Sequence, residues 1–154
     1  DGRVAGGFAH EDDTPLPAGF RPVLRWFTSV AHLLALAPGE PVSYGGEWVA
    51  QRPTVAAVLP VGYADGFPRR PFNWGSVLVR GQAAPLLGRV CMDQIVVDLG
   101  DDPAQPGDEV VLFGSATRGE PAAEDWARAA GTIGYEIITR LGARVHRTHV
   151  GTAA

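Results

Sequence analysis

The chain has 154 residues, of which 45% are hydrophobic and 19% charged, and its formal net charge is −4. This length is enough for one domain with a proper core, and the weak negative charge argues against nucleic acid as a partner. The single cysteine excludes an internal disulfide, and no apolar run approaches the ~20 residues that span a bilayer. We therefore expect a soluble, cytoplasmic protein that does not cross a membrane.

The first part of the chain, residues 1–21, mixes glycine, proline and acidic residues without periodicity. It is predicted to be an irregular lead-in or the remnant of something cut upstream. From residue 22 onwards, apolar and β-branched runs alternate with turn formers, and the 20 glycines and 13 prolines favour short strands over long helices. The predicted strands are 23–33, 55–61, 76–79, 86–92, 94–99 and 109–113.

Two short helices are predicted in the last third of the chain. The first spans 121–130, because Pro121 suits a first helical position and Gly131 suits the stop after the last turn. The second spans 132–141, where apolar residues recur at four-residue spacing, and a strand over 144–150 follows it. These patterns predict a mainly β, barrel-like domain with one or two short helices.

The basic and phenolic residues point to incomplete catalytic machinery. All 13 basic side chains are arginines, so the chain offers no amine for a Schiff base. Each tyrosine, Tyr44, Tyr63 and Tyr135, lies beside glycine, where a phenol can reach a reacting group. A phenol with a pKa of about 10 is a poor base without help, and a glycine-flanked tyrosine commonly serves as a packed anchor. Both roles stay open at this point.

Residues 88–94 place polar and sulfur-containing side chains between two predicted strands. Exposed backbone amides in such a connection can bind a carboxylate or a phosphate oxygen. The alternative is a plain hairpin in which Cys91 and Met92 fill the core.

The four histidines form no recognised metal signature. His146 and His149 are three residues apart in a predicted strand, so their side chains point to opposite faces. We expect no metal site.

Four motifs follow one another along the chain in a characteristic order. They are Pro41-Val42-Ser43-Tyr44-Gly45, Pro60-Val61-Gly62-Tyr63-Ala64-Asp65-Gly66 followed by Arg69, Gly88-Arg89-Val90-Cys91-Met92-Asp93-Gln94, and Gly131-Thr132-Ile133-Gly134-Tyr135-Glu136. In this order and spacing they closely resemble the C-terminal domain of alanine racemase. The likeness runs from about residue 22 to residue 150.

The resemblance implies a mostly β domain that follows a TIM-barrel domain carrying pyridoxal 5′-phosphate on a lysine. Residues 1–21 would then be the remnant of the junction with that barrel, and residues 22–154 the C-terminal domain. Members of the family are head-to-tail homodimers, in which this domain of one subunit closes over the cofactor of the other. They interconvert L-alanine and D-alanine, and D-alanine is a peptidoglycan precursor.

The same resemblance implies roles for individual residues at the active site. Tyr44 would be the base that exchanges the Cα proton on the face opposite the cofactor lysine, since racemisation requires two bases on opposite faces. The backbone N–H of Met92 would help to hold the substrate carboxylate, and Tyr63 would line the pocket. Tyr135 would lie beside the cofactor phosphate.

Further residues would lie around this centre. Arg3 would face the pyridine nitrogen of the cofactor. Guanidinium groups in a substrate corridor would steer a small carboxylate inward. The corridor residues implied by the resemblance are Arg69, Arg89, Asp93 and Arg147.

The chain departs from the family in one decisive respect, because the cofactor lysine has no counterpart in it. We therefore expect the isolated chain to be inactive as a racemase. Two alternatives stay open: a stand-alone β-barrel module for binding or assembly, and a racemase domain for serine or another small amino acid.

Overall fold

Short antiparallel strands make up most of the structure. A computed structural model describes residues 22–69, 75–101 and 104–151, and these ranges contain nine strands and two α-helices. The strands are β1 (Trp26–Ser29), β2 (His32–Leu36), β3 (Pro41–Val42), β4 (Trp48–Val49), β5 (Thr54–Leu59), β6 (Ser76–Val79), β7 (Gln82–Pro85), β8 (Ile95–Asp98) and β9 (Glu109–Phe113); the helices are α1 (Ala123–Ala130) and α2 (Gly134–Thr139). The prediction of a mainly β domain with two short helices is confirmed.

Two antiparallel sheets form the body of the domain. One has the strand order β1-β9-β6-β7 and the other β2-β5-β8. The chain passes between them after β1, where the Val30 amide donates to Asp108 O and the next amide, that of Ala31, donates to Val58 O, both at 2.9 Å. After β7, Leu86 forms a bridge with Val97 of β8. The sheets are thus joined at two corners, which gives a barrel-like but unclosed arrangement.

In the sheet β2-β5-β8, strands β5 and β8 carry buried side chains on both faces, whereas the edge strand β2 is partly exposed. Along β5, Ala57 and Leu59 belong to the main core together with residues of the other sheet, whereas Ala56 and Val58 face a second cluster. This alternation follows from the two-residue period of a strand. The second cluster includes Val42 and Trp48, which pair across β3 and β4. The hairpin β3–β4 is therefore packed on the outer face of this sheet.

An aromatic contact ties the helices to the segment that follows β5. Phe67 is fully buried, and its ring lies 6.3 Å from that of Trp26 and 4.4 Å from that of Trp126 on α1, measured between centroids. The second contact is edge-to-face, which is a favourable geometry for aromatic rings. Helix α1 ends at Gly131 (φ 67°), whose amide donates to the carbonyls of Ala127 and Arg128, so the predicted helix stop is confirmed.

Three of the predicted strands are wrong in position or extent. The run 23–33 is not one strand, because the chain changes sheets at residues 30–31 and forms β1 and β2 instead. The predicted strand 86–92 is replaced by the earlier β7, with only an isolated bridge at residue 86. Residues 144–150 form a turn and irregular structure without strand pairing.

An ion-pair network joins Arg25, the residue before β1, to strand β9 and to the segment before α1. The Arg25 guanidinium donates to Glu109 at 2.6 and 3.0 Å and to Glu120 at 2.8 Å. Glu120 is buried and also accepts from the Ser115 amide (2.9 Å) and from Arg118 (3.0 Å). Burial alone would raise the pKa of Glu120, but these hydrogen bonds outweigh it and hold the pKa below the ordinary value of 4.5.

This network predicts an acid-sensitive contribution to stability. A carboxyl whose pKa is lower in the folded state binds fewer protons there than in the unfolded chain. Its contribution is therefore fully present above pH 4.5 and is lost as the pH falls through the folded-state pKa. We expect Glu120→Gln to lower the free energy of unfolding at pH 7 and to flatten its decline below pH 4.5, measured by urea denaturation across pH.

The matched control is Glu40→Gln, which alters an exposed carboxyl that accepts from the Ala37 amide in a turn. We expect the pH dependence of this variant to follow that of the unmodified chain. Parallel curves for Glu120→Gln and the unmodified chain would contradict the assignment.

Candidate functional site

Tyr44 lies at the tip of the hairpin β3–β4. Residues 44–46 form a single 3-10 turn, and the strands on either side pair through Val42 and Trp48. The side chain of Tyr44 is 74% exposed, and its hydroxyl has no hydrogen-bond partner among the described residues. The alternative in which this ring is a packed anchor is therefore wrong. The phenol projects from a hairpin whose base is held by the second apolar cluster.

The loop 88–94 packs against the hairpin tip. The Arg89 guanidinium forms an ion pair with Glu47, which follows the 3-10 turn of Tyr44. A Cβ atom added to Gly45 would lie only 3.8 Å from the Cζ atom of Arg89. Arg89 is thus adjacent to the Tyr44 loop, and Glu47 offsets part of its charge.

The loops that carry Tyr63 and Met92 share backbone hydrogen bonds. The Tyr63 amide donates to Cys91 O at 3.1 Å, and the Ala64 amide donates to Met92 O at 2.8 Å. Gly62 lies so close that an added Cβ would be 2.4 Å from the carbonyl oxygens of Cys91 and Met92. Only glycine permits this approach, which explains its place before Tyr63.

The strand register brings these two loops together. β5 ends at Leu59 and β8 begins at Ile95, and these two residues are paired. The chain leaving β5 and the chain entering β8 therefore meet at the same edge of the sheet. Antiparallel pairing thus joins the second motif to the third.

Met92 presents a free amide beside an exposed side chain. Its side chain is 56% exposed while that of Cys91 is buried, so the hairpin alternative is correct for Cys91 and wrong for Met92. The Met92 amide has no acceptor among the described residues, although its carbonyl is fixed by Ala64. A backbone N–H held in this way can donate to an external carboxylate. The neighbouring Asp93 is also exposed.

Asp65 stabilises the Tyr63 loop through hydrogen bonds of its carboxylate with Gly62 and Arg144. Its buried carboxylate accepts from the Gly62 amide at 2.8 Å and from the Arg144 guanidinium at 2.5 and 3.0 Å. Its backbone oxygen accepts from the Gly142 amide at 2.9 Å. The hydrogen bond with Asp65 raises the pKa of Arg144 above its usual value. Asp65 belongs to the second motif, but its role in fixing this loop was not predicted, although an acid three residues after a turn glycine is a capping signal.

The predicted corridor residues lie in different surroundings. The Arg69 guanidinium stands 5.8 Å from the centre of the Tyr63 ring, in a cation–π contact. Arg147 donates to the carbonyls of Leu141, Gly142 and Val145, at 2.9, 3.3 and 3.4 Å. Arg69 and Arg89 thus lie beside the loops of Tyr63 and Tyr44, respectively. Arg147 instead stabilises the C-terminal segment through its hydrogen bonds.

Tyr135 lies in α2, and its side chain is 65% exposed with no partner for the hydroxyl among the described residues. The neighbouring Glu136 accepts from Thr132 and pairs with Arg140. A polar cleft of about 200 Å³ separates this region from the end of the second motif, and its lining includes Arg69, Thr132, Glu136 and Arg140. The fourth motif and Arg69, which follows the second motif, thus line the same cleft.

Other predictions concern parts or properties outside this cluster. Arg3 lies outside the described residues. Within the described ranges, we find no helix with the length and hydrophobicity that a bilayer crossing requires. In the same ranges, no three His, Cys, Asp or Glu side chains gather in a way that could hold a metal ion.

The chain is similar to known proteins in both sequence and fold. Residues 23–149 match the family described as "Alanine racemase, C-terminal domain". The chain is 50% identical over 140 residues to the alanine racemase of Streptomyces coelicolor, covering 91% of this chain and 36% of that protein. It is 44% identical over 152 residues to the alanine racemase of Thermobifida fusca, covering 96% and 41%.

Solved structures agree with these relatives. Alanine racemase from Streptomyces coelicolor A3(2) superposes with a TM-score of 0.83 at 50% identity, covering 87% of this chain and 35% of that one. Alanine racemase from the D-cycloserine-producing Streptomyces lavendulae gives 0.85 at 46% identity, with coverage of 96% and 40%. The chain thus spans well under half the length of the proteins it matches. It belongs to the alanine racemase C-terminal domain family.

Proposed function

We propose that this chain serves an alanine racemase by supplying a tyrosine base and a carboxylate contact to an active site that another domain completes. The observation that carries the proposal is the pairing of an exposed phenol, that of Tyr44, with a free backbone amide, that of Met92, on two adjacent loops. The sheet behind them holds both loops, and neither group has a hydrogen-bond partner among the described residues.

Tyr44 would act as one of two bases. Racemisation at Cα requires one group to remove the proton on one face and a second group to deliver a proton on the other. The Tyr44 oxygen would hold or release the proton on its own face. The second base is not a lysine of this chain, because the chain has none. It would come from a barrel domain, and in a head-to-tail homodimer that barrel belongs to the partner subunit.

Met92 and Tyr63 would orient the substrate. The Met92 N–H would donate to the substrate carboxylate, and a hydrogen bond to a charged acceptor is stronger than one between neutral groups. Tyr63 would form a wall of the pocket, with Arg69 over its ring. Arg89 and Asp93 would border the corridor next to these groups, and Arg147 would support it from the C-terminal segment.

The residues present can contact the phosphate of pyridoxal 5′-phosphate, but they cannot bind the cofactor covalently because the chain has no lysine. The Tyr135 hydroxyl is exposed and unpartnered among the described residues, so it can donate to a phosphate oxygen. The proposed role of Arg3 at the pyridine nitrogen concerns a residue outside the described part. When bound, the cofactor supplies an electron sink that stabilises negative charge at Cα.

The substrate would be a small amino acid, with alanine favoured by the names of the relatives. The enzyme would then work in the cytoplasm and supply D-alanine for peptidoglycan. Serine stays a candidate substrate, and a comparison of kcat/KM for L-alanine and L-serine distinguishes the two.

A domain exchange tests the proposal. Residues 23–149 of this chain would replace the matching segment of the Streptomyces coelicolor alanine racemase. We expect this chimera to interconvert L- and D-alanine while the isolated chain does not. Tyr44→Phe should lower kcat of the chimera by about 100-fold or more, since positioned acid–base groups contribute 10²- to 10⁴-fold.

The control for this test is Thr117→Val, which also removes one exposed hydroxyl but lies in a different loop. It should leave kcat unchanged. A folded, cofactor-loaded chimera with no racemase activity would contradict the proposal, as would a Tyr44→Phe variant that turns over at the unmodified rate.

Asp65 provides a second prediction, about substrate orientation. Asp65→Ala leaves the buried Gly62 amide without its acceptor, so we expect the free energy of unfolding to fall by about 1–3 kcal/mol. Because Gly62 and Ala64 hold the Met92 peptide, the KM of the chimera for alanine should rise more than kcat falls. Urea denaturation and steady-state kinetics measure the two effects.

Asp125→Ala is a control that matches that variant in hydrogen-bond pattern, although Asp125 is exposed and Asp65 is buried. Asp125 also accepts from the amide three residues before it (2.8 Å) and pairs with an arginine (3.0 Å), but it does so at the start of α1. It should lower stability without a change in KM. An equal rise in KM in both variants would mean that the effect is general destabilisation.

A further inference from the structure

Ser43, immediately before Tyr44, has a backbone conformation that side-chain-bearing residues rarely adopt. Its φ is 62° and its ψ is −179°, a combination that is essentially restricted to glycine. Arg80 is the other non-glycine residue with positive φ in the described ranges, and it opens a two-residue hairpin turn where positive φ is usual. Ser43 has no such ordinary reason for its conformation.

The side chain of Ser43 lies close to Gly88 in the loop 88–94. A Cβ added to Gly88 would lie 3.0 Å from the Ser43 Cβ, 3.2 Å from its Oγ and 2.8 Å from Val42 O. The Ser43 Oγ is buried and has no hydrogen-bond partner among the described residues. This serine of the hairpin thus lies against the loop that leads to Arg89 and Met92, and its hydroxyl is unsatisfied within the described residues.

The strained backbone and the unpartnered hydroxyl both belong to Ser43, the residue that directly precedes Tyr44. The ψ angle of Ser43 sets the orientation of the peptide that leads into Tyr44, and therefore the direction of the phenol. A strained conformation persists when the surrounding structure over-determines it, and such strain is concentrated at functional sites. Here the surrounding contacts are the packing on Gly88 and the pairing of β3 with β4.

We propose that Ser43 is a positioning residue for Tyr44, and that its contact with Gly88 holds the strained backbone which directs the phenol toward the reacting carbon. This inference rests on the proposed function of Tyr44 as a base. It assigns Ser43 no contact with substrate or cofactor.

Two substitutions separate positioning from packing. Ser43→Gly relieves the strain but removes the contact with Gly88, so the backbone before Tyr44 becomes free to move. Ser43→Ala keeps the Cβ contact and the strain, and removes only the unpartnered hydroxyl. We expect the thermal midpoint of the chain to be unchanged or higher in both variants.

The kcat of the chimera should differ between Ser43→Gly and Ser43→Ala. For Ser43→Gly we expect kcat to fall by roughly 10- to 100-fold, since small displacements of a catalytic group cost rates of this order, with KM changed by less than about twofold. For Ser43→Ala we expect kcat to stay within about twofold of the unmodified chimera. A loss of kcat without a loss of stability is the result that a purely structural role does not give.

Deuterium at Cα gives a readout specific to the Tyr44 proton transfer. If Ser43→Gly slows that step, the isotope effect on kcat should rise with the enantiomer whose deuteron Tyr44 removes. It should fall with the other enantiomer, whose deuteron goes to the opposite base. No change in either isotope effect, or a lower thermal midpoint together with lower kcat, would overturn the inference.

Tyr44→Phe measured in parallel distinguishes this failure from a failure of the proposed function. If Tyr44→Phe retains turnover, Tyr44 is not the base and both proposals fall. If Tyr44→Phe is inactive and Ser43→Gly matches the unmodified chimera in kcat and isotope effects, only the positioning role of Ser43 is wrong.

Discussion

The burial of strands β5 and β8 on both faces is the constraint on which the candidate site depends. One face closes the main core, and the other carries the hairpin β3–β4 through Val42 and Trp48. The Tyr44 loop, the segment after β5 and the segment before β8 therefore all start from one rigid unit, with the last two joined by the Leu59–Ile95 pair. Functional groups on loops are positioned well when the scaffold beneath them is rigid.

The candidate functional groups are exposed, while the backbone that carries the Tyr63 and Met92 loops is tightly packed. Gly62 lies directly against the Cys91–Met92 peptide, and Asp65 fixes the same loop through Arg144. Yet the phenols of Tyr44 and Tyr135 and the side chain of Met92 are largely exposed. These exposed groups on ordered backbone are the feature that supports the proposed completion of a site by another domain.

The sequence predicted local features better than long-range ones. Strands at 76–79 and 109–113 were predicted correctly because β-branched runs are bounded there by turn formers, while the change of sheet after Val30 depends on partners distant in sequence. The tyrosines were identifiable from their glycine neighbours and the order of the motifs. The role of Asp65 was not predicted because its partner Arg144 is 79 residues away. The strain at Ser43 could not be predicted because residue type does not encode its φ.

The most direct test of the account is complementation between two inactive subunits of the chimera. One subunit would carry Tyr44→Phe, and the other would lack the cofactor lysine of the barrel. If this domain serves the partner's site, each hybrid dimer regains one complete site, so random co-assembly should restore roughly a quarter of the unmodified activity. Hybrid dimers that form and load the cofactor but stay inactive would show that Tyr44 does not act across the subunit interface.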